Sequence, residues 1–193
     1  MRHIVLFCGH IGSGKDTAAN YFISKYGFTS SKMAGSLDRE GSLKRVVWEI
    51  FNLDKSKVED RKYRESPHPH LGWKTPRAAL QYFGHQTRQF MEDVWVRNTM
   101  IHISTLEDSN IVLSDIRYLN EYEVFLTMQN ESTKLTLVAI KNPKLDLTQE
   151  IFKDPSEEEI PLIQERADYT IYNNSTLEEF YKNLDYIYNI IQK

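Results

Sequence analysis

Cysteine is almost missing from this sequence: Cys8 is the only one among 193 residues. One thiol can make neither an intramolecular disulfide nor a cysteine-rich zinc site, which suits a reducing compartment. Its place at the end of an apolar run predicts a packing role at a strand end. Long apolar stretches are missing too. No run approaches the ~20 residues of a membrane span, and Met1-Arg2-His3 leads straight into a strand without the apolar core of a signal peptide. The expectation is a protein of the cytoplasm, the host's if the source is viral, with no membrane partner. Nor is there an excess of positive charge, since 24 Lys and Arg stand against 27 Asp and Glu for a formal net charge of -3. Without a general basic field nucleic acid is not an expected partner, whereas a small anionic metabolite needs only a local cluster. Internal repeats and low-complexity tracts are also absent. The length suits one domain, residues 1–193, with a full core from which an insertion or lid can project.

What is present is an alternation of buried strands and amphipathic helices. Ile4 to Cys8 is a continuous apolar run ending in glycine, the pattern of a parallel strand covered on both faces. Ile111-Val112-Leu113, Leu135 to Ile140 and Tyr169 to Tyr172 repeat it. Between them, Ala18, Ala19, Phe22 and Ile23 share one helical face. Asn120 with Glu123 reads as a capping-box start ahead of Val124, Phe125 and Met128. Ser175 with Glu178 starts the last helix, whose buried side is Phe180, Leu184, Ile187 and Ile191. The order predicts an α/β fold of three layers, a parallel sheet flanked by helices.

Two segments break the rhythm. Residues from about 37 to 100 read as mainly helical and carry Arg39, Lys44, Arg45, Arg61, Lys62, Arg64, Lys74, Arg77, Arg88 and Arg97, so an anionic substrate is expected there, with Arg45 among its holders. Residues from about 146 to 162, including Asp154-Pro155-Ser156-Glu157-Glu158-Glu159, are acidic and turn-rich, and read as a surface excursion in the place of a lid.

The strongest motif is Gly9-His10-Ile11-Gly12-Ser13-Gly14-Lys15-Asp16-Thr17. Gly9, Gly14 and Lys15 meet the pattern G-x-x-x-x-G-K, and Gly12 adds backbone freedom, between a strand and an amphipathic helix. Successive backbone N–H groups of such a loop, Ser13 and Gly14 included, converge on a phosphate, the helix N-terminus adds positive potential, and Lys15 reaches the β- and γ-phosphates. A glycine-rich turn can merely join strand to helix, but Lys15 would then have no reason to sit there. The Ser or Thr that usually follows the lysine is Asp16. Its carboxylate can bind Mg²⁺ directly or through water, and Thr17 can offer a hydroxyl from the next position; Asp16 is favoured, because Mg²⁺ prefers hard carboxylate oxygen.

Lys74-Thr75-Pro76-Arg77 is a helix start, with Thr75 as N-cap and Pro76 in the first turn. Arg77, Gln81, Gly84 and Arg88 then fall on one narrow stripe, a poor core face but a good binding wall. The glycine leaves room for a flat ring, Gln81 can donate and accept toward a base edge, and the arginine forks match phosphate oxygens. Arg77 and Arg88 lie ~16 Å apart along a straight helix, so they do not grip the same oxygen. The competing reading is a solvated charged face. At the end of the second buried strand, Asp115 and Arg117 sit where the crevice of an open parallel sheet takes its ligand. Asp115 can position the acceptor or the Mg²⁺ waters, and Arg117 can stabilise charge in the transfer; an internal pair fixing the turn is the competing reading.

Taken together, these residues resemble the bacteriophage-type deoxynucleoside monophosphate kinases, a branch of the P-loop nucleoside monophosphate kinases. The resemblance runs from Gly9 to Thr17 with its Gly-Lys-Asp-Thr ending, through Thr75-Pro76-Arg77, Leu80-Gln81, Gly84, Arg88 and Trp95, to Ser114-Asp115-Ile116-Arg117. It continues into Ala167-Asp168-Tyr169 and Asn174 to Glu179. It implies a P-loop NTPase fold with a helical monophosphate-binding region and a short lid, and transfer of the ATP γ-phosphate, with Mg²⁺, to a deoxynucleoside 5′-monophosphate. Lys15, Arg117 and Asp115 would be catalytic; Arg45, Arg77, Gln81, Arg88, Trp95 and Asp115 would face the acceptor, and a homodimer is compatible. Segment 146–162 has no arginine, which leaves Arg117, Arg166 or Lys141 to neutralise the γ-phosphate. Trp48, Phe51, Tyr63, Tyr82 and Trp95 are candidates to stack on a base, although aromatics at helical spacing are more often core. His68-Pro69-His70 reads as an exposed turn. The nearest alternatives are a P-loop kinase of another small phosphate or coenzyme precursor, and a regulatory nucleotide-binding module.

Overall fold

The computed structural model describes residues 1–39, 41–106 and 109–193. In chain order the elements are β1 (Arg2–Cys8), α1 (Lys15–Tyr26), β2 (Thr29–Ser30), α2 (Leu43–Ile50), α3 (Arg61–Glu65), α4 (Pro76–Phe90), α5 (Val94–Ser104), β3 (Ile111–Ile116), α6 (Leu119–Leu126), β4 (Thr133–Lys141), α7 (Pro155–Glu158), α8 (Ile160–Glu165), β5 (Tyr169–Tyr172) and α9 (Leu177–Ile191). Short 3-10 turns occupy Lys55–Lys57, Pro69–Leu71 and Glu150–Lys153. The chain divides into two compact units, one made of Met1–Ser31 with Leu106–Lys193, the other of Lys32–Thr105.

The first unit is a five-stranded sheet in the order β2-β3-β1-β4-β5, parallel throughout. β1 lies in the middle, Ile4 opposite both Ile111 and Leu135, which is why its side chains are apolar without alternation. Val5 and Phe7 point to one face, where they meet Ala18, Ala19 and Phe22 of α1 and Phe180, Leu184, Ile187 and Ile191 of α9. Phe22 meets Phe7 edge-on at 5.3 Å, and burying such a ring contributes about 1.5–3 kcal/mol. On the other face α8 packs on β1 and β4, with α6 beside it. Three layers result, as the strand and helix patterns require, and Cys8 is fully buried at the end of β1.

Three local details depart from the sequence reading. β2 is two residues long and pairs with β3 through backbone alone, too short for any periodic signal. α6 starts at Tyr118 rather than Asn120: the buried Glu121 carboxylate accepts the N–H groups of Arg117 (2.9 Å) and Tyr118 (3.2 Å). α9 is capped by Thr176, which accepts from Glu179 N–H at 3.3 Å, one residue past the expected Ser175. In α9 the cap is the hydroxyl on the residue where the backbone turns helical, and in α6 the N3 carboxylate of Glu121 closes the first turn by reaching back to the backbone ahead of it.

The second unit is helical and has its own core, in which Leu43, Val47 and Trp48 of α2 meet Ala79 of α4, Trp95 of α5, Leu53 and Leu71. The Trp48 indole N–H donates to Asp54 O at 3.0 Å. Arg39 is buried, with its guanidinium on Thr99 Oγ1 (3.1 Å) and Met33 O (3.0 Å). α4 opens as expected, Thr75 Oγ1 accepting from Ala78 N–H at 3.1 Å with Pro76 in the first turn. His68 pairs antiparallel with Lys74 across the Pro69–Leu71 turn.

Candidate active site

The phosphate-loop candidate spans the end of β1 and the start of α1. Its glycines are there by necessity. Gly9 has φ 150°, and a Cβ on it would lie 2.3 Å from Ile140 O; Gly14 has φ 108°, and a Cβ would lie 2.6 Å from Asn173 Nδ2. Both clashes are with groups that hold the loop, so a side chain at either position would open it. Asn173, just past β5, donates its side-chain amide to Ser13 O at 3.0 Å and its backbone N–H to Lys141 O at 2.8 Å. This brace was not legible in the sequence, because an asparagine after a strand normally reads as a turn residue.

Lys15 is 6% exposed and folds back to donate to His10 O at 2.7 Å. Burial, followed by the neighbouring Arg117 charge, lowers its pKa from 10.5 to about 8, with Glu157 and Asp16 pulling in the opposite direction. Its ammonium group is therefore poorly compensated where an anion would compensate it. The Ser13 hydroxyl is buried, with no hydrogen-bond partner among the described residues. Both observations fit a site built for phosphate oxygens.

Asp16 accepts from Ser114 Oγ at 2.7 Å, which joins the first turn of α1 to the end of β3. Among the described residues no cluster of three or more His, Cys, Asp or Glu side chains could hold a metal by itself. A nucleotide-associated Mg²⁺ does not need one, because it takes one or two carboxylates and fills its octahedron with phosphate oxygens and water. Asp16, fixed by Ser114 and exposed to solvent, fits that demand; Thr17 follows on the same turn. Asp115 and Arg117 lie at the end of β3, at the carboxyl edge of the sheet.

The acidic segment departs from the sequence reading. Far from being only a surface excursion, it forms α7 and α8 and sends Glu157, 3% exposed, onto the phosphate loop. Glu157 Oε2 accepts the Ile11 N–H at 3.1 Å and lies 3.0 Å from His10 Nδ1, while Oε1 pairs with the Arg117 guanidinium. Glu159 ties the same segment to the start of α6, accepting the Leu119 N–H at 2.7 Å. An acidic run reads as solvated because the sequence does not show which of its carboxylates has a cationic partner. Beside the loop is a cavity of about 350 Å³, lined by His10, Ser13, Lys141, Asn142, Gln164 and Tyr172 among others.

The helical unit holds the other candidates. Arg77 pairs with Glu65 at 3.1 Å, and its Nε is buried without a hydrogen-bond partner among the described residues; Arg64 Nε is in the same condition. Gln81 is exposed. Arg45 pairs with Glu49 along α2 at 3.1 Å. Two expectations are corrected. Gly84 leaves no slot for a ring, because Leu43 Cδ2 would lie 3.3 Å from a Cβ there and the Arg88 guanidinium folds back onto Gly84 O at 3.1 Å. Trp95 is not a stacking platform: it is 6% exposed in the core, with its indole N–H on Gly84 O at 3.3 Å. Its amphipathic ring is fully used in packing.

No family model matches the chain. A protein of Acanthamoeba polyphaga mimivirus described as "Putative deoxynucleotide monophosphate kinase" is 28% identical over 193 residues, covering 91% of this chain and 91% of that protein. Among solved structures, shikimate kinase from Acinetobacter baumannii in complex with shikimate aligns with a TM-score of 0.50 at 14% identity, over 100% of this chain and 93% of that one. Shikimate kinase from Aquifex aeolicus aligns with a TM-score of 0.50 at 10% identity, over 98% of this chain and 96% of that one. At such identities the two structures speak for the fold alone.

Proposed function

We propose that this P-loop kinase, a phosphotransferase, moves the γ-phosphate of ATP onto a deoxynucleoside 5′-monophosphate, leaving ADP and the deoxynucleoside diphosphate. The observation that carries the reading is a buried, anion-seeking Lys15 on the loop of a chain whose relative along nearly its whole length is described as a deoxynucleotide monophosphate kinase.

Such a transfer asks for position and charge more than for covalent chemistry. The acceptor phosphate is already anionic, so no general base is required. The loop N–H groups and Lys15 hold the β- and γ-phosphates, Arg117 answers the charge on the transferring group, and Asp115 orders the space beside it. Mg²⁺, when bound, neutralises phosphate charge. Asp16 is its ligand or water anchor, with Thr17 as the second choice. The donor's base and ribose take the cavity beside the loop, whose size suits a nucleoside. In the helical unit Arg77, whose Nε has no hydrogen-bond partner among the described residues, clamps the acceptor phosphate, exchanging Glu65 for the stronger anion. Gln81 reads the base edge, while Arg45, Arg64 and Arg88 supply positive potential. The mimivirus relative makes a viral source, and a role in supplying deoxynucleotides, part of the same reading.

The test is a coupled ADP-release assay with ATP, Mg²⁺ and a panel of deoxy- and ribonucleoside monophosphates, with shikimate as a control acceptor. Turnover with at least one deoxynucleoside monophosphate, and none with shikimate, is expected. Turnover only with a non-nucleotide acceptor would overturn the reading.

A further inference from the structure

We propose that Glu157 is a resident internal ligand of the phosphate loop, an anion of the chain itself that the nucleotide's phosphate must displace and whose departure releases Arg117 to the phosphate. The proposal rests on the reading that the loop takes a nucleotide. Three kinds of donor that would hold a phosphate oxygen converge on this one carboxylate: the loop N–H of Ile11, the ring of His10, and the guanidinium of Arg117. Burial at 3% exposure is unusual for a glutamate in a run of acidic residues, and it is sustained by these donors alone among the described contacts of its side chain. A carboxylate has two oxygens in a plane, so it satisfies the amide and the arginine fork at once, as two oxygens of a phosphate would. Its charge also reaches Lys15, whose ammonium it favours.

A triphosphate and Glu157 cannot both keep these partners. The incoming group carries several negative charges into the same donors, and a buried carboxylate left beside them without its arginine would be strongly disfavoured. Displacement is the way out, and the local structure allows it. Glu157 sits on the four-residue α7, between Asp154, which caps it by accepting from Ser156 N–H at 2.9 Å, and Glu159, which anchors the far side to Leu119. The short arm can therefore lift Glu157 while Glu159 keeps its far end tied to the start of α6 and the Asp154 cap keeps its first turn formed. Arg117, two residues beyond Asp115 in the β3 end, then exchanges one anion for another without leaving its position. The internal ligand keeps the loop in its binding shape before nucleotide arrives, and it weakens binding of any ligand that lacks enough phosphate charge to evict it. If the loop is open only a fraction of the time, the apparent dissociation constant is raised by the inverse of that fraction.

The experiment is calorimetric titration of the full chain with ATP and, separately, with inorganic phosphate, comparing wild type, Glu157→Gln, Glu157→Ala and Lys15→Met, each checked by a thermal melt. Expected is tighter ATP binding by about tenfold in both Glu157 variants, a larger relative gain for inorganic phosphate, and a lower melting temperature without ligand that ATP restores. Unchanged or weaker ATP binding in a folded Glu157→Gln would overturn the proposal and make Glu157 a brace for Arg117. ATP binding that is equal in wild type and Lys15→Met, or absent from all four, would instead overturn the loop reading, and the proposal with it. Hydrogen exchange on unmodified protein gives an answer even where a variant fails to fold. Amides of residues 156–159 are expected to exchange faster at saturating ATP, and equal or slower exchange there would overturn the proposal.

Discussion

Replacing Lys15 by methionine should abolish transfer and, at the same time, make the nucleotide-free protein more stable. Lys15 is 6% exposed, and burial with the Arg117 charge brings its pKa down from 10.5 to about 8. The unfolded chain therefore holds the proton between pH 8 and 10.5 while the folded chain has released it. Stability rises with pH across that window, and at pH 7 the folded state carries the whole penalty of the charged group. At 1.36 kcal/mol per pH unit the penalty is about 3 kcal/mol. Methionine fills a similar volume and removes that penalty, but it forfeits the hydrogen bond to His10 O at 2.7 Å, worth about 1 kcal/mol. A net gain of about 2 kcal/mol remains, which for a chain of this size is a rise in Tm of about 4–8 °C. The assay pairs a thermal melt at pH 7 and at pH 9.5 with ADP release. The rise should be largest at pH 7 and shrink toward pH 9.5, where wild-type Lys15 is already neutral. A variant that melts below wild type at pH 7, or that keeps near-normal turnover, would refute the picture of a lysine held under strain for a phosphate.

Further outcomes follow from the same geometry. Asp16→Asn should raise the Mg²⁺ concentration needed for half-maximal turnover more than Thr17→Val does, since the carboxylate fixed by Ser114 is the better metal anchor; a larger effect at Thr17, in a Mg²⁺ titration of initial rates, would reverse the assignment. Arg77→Lys should raise the acceptor KM with little change for ATP, and Arg77→Met should cost on the order of 2–5 kcal/mol in kcat/KM, read by varying both substrates; an effect confined to ATP would move the acceptor phosphate elsewhere. Gly14→Ala should lose nucleotide binding, because its Cβ would meet Asn173 Nδ2 at 2.6 Å in a backbone at φ 108°; calorimetry showing wild-type affinity would contradict the brace. Cys8, buried with its thiol pushed up to about 12 by that burial, should resist alkylation at pH 8 in the folded protein and react once unfolded.

The elements that set the fold were visible in the sequence where one physical signal dominated. β1, β3 and β4 are apolar runs because the sheet is covered on both faces there, whereas β5, at the edge, buries only Ile171 and leaves Thr170 and Tyr172 exposed; the loop from Gly9 to Thr17 announces itself because its glycines and lysine have no cheaper explanation together. Signals failed where the cause lies in a distant partner. β2 is held by the backbone of β3, so its two residues carry no pattern. Glu157 reads as solvated among Asp154, Glu158 and Glu159 until Arg117, 40 residues upstream, is seen to pair with it. The clue available beforehand was that Lys15 and Arg117 would converge on one spot and need an anion. Trp95 fell on a position that the resemblance assigns to the acceptor, and Gly84 on the stripe read as a binding wall, yet in this chain the indole and the glycine carbonyl bond to each other, a contact that helical spacing alone does not reveal. Arg64 was only one of many basic residues in the segment, and its buried Nε emerges only once α3 and α4 are packed.

The central claim is phosphoryl transfer between nucleotides, and phosphorus NMR of the reaction itself observes it most directly. ATP, Mg²⁺ and each deoxynucleoside 5′-monophosphate in turn are mixed with the purified chain and followed over time. For at least one acceptor the ATP γ resonance and the monophosphate resonance should fall together, while ADP and a second diphosphate appear in equal amounts. With Lys15→Met the spectrum should stay unchanged. Release of inorganic phosphate with every acceptor left intact would contradict the account, since the loop would then serve hydrolysis rather than transfer.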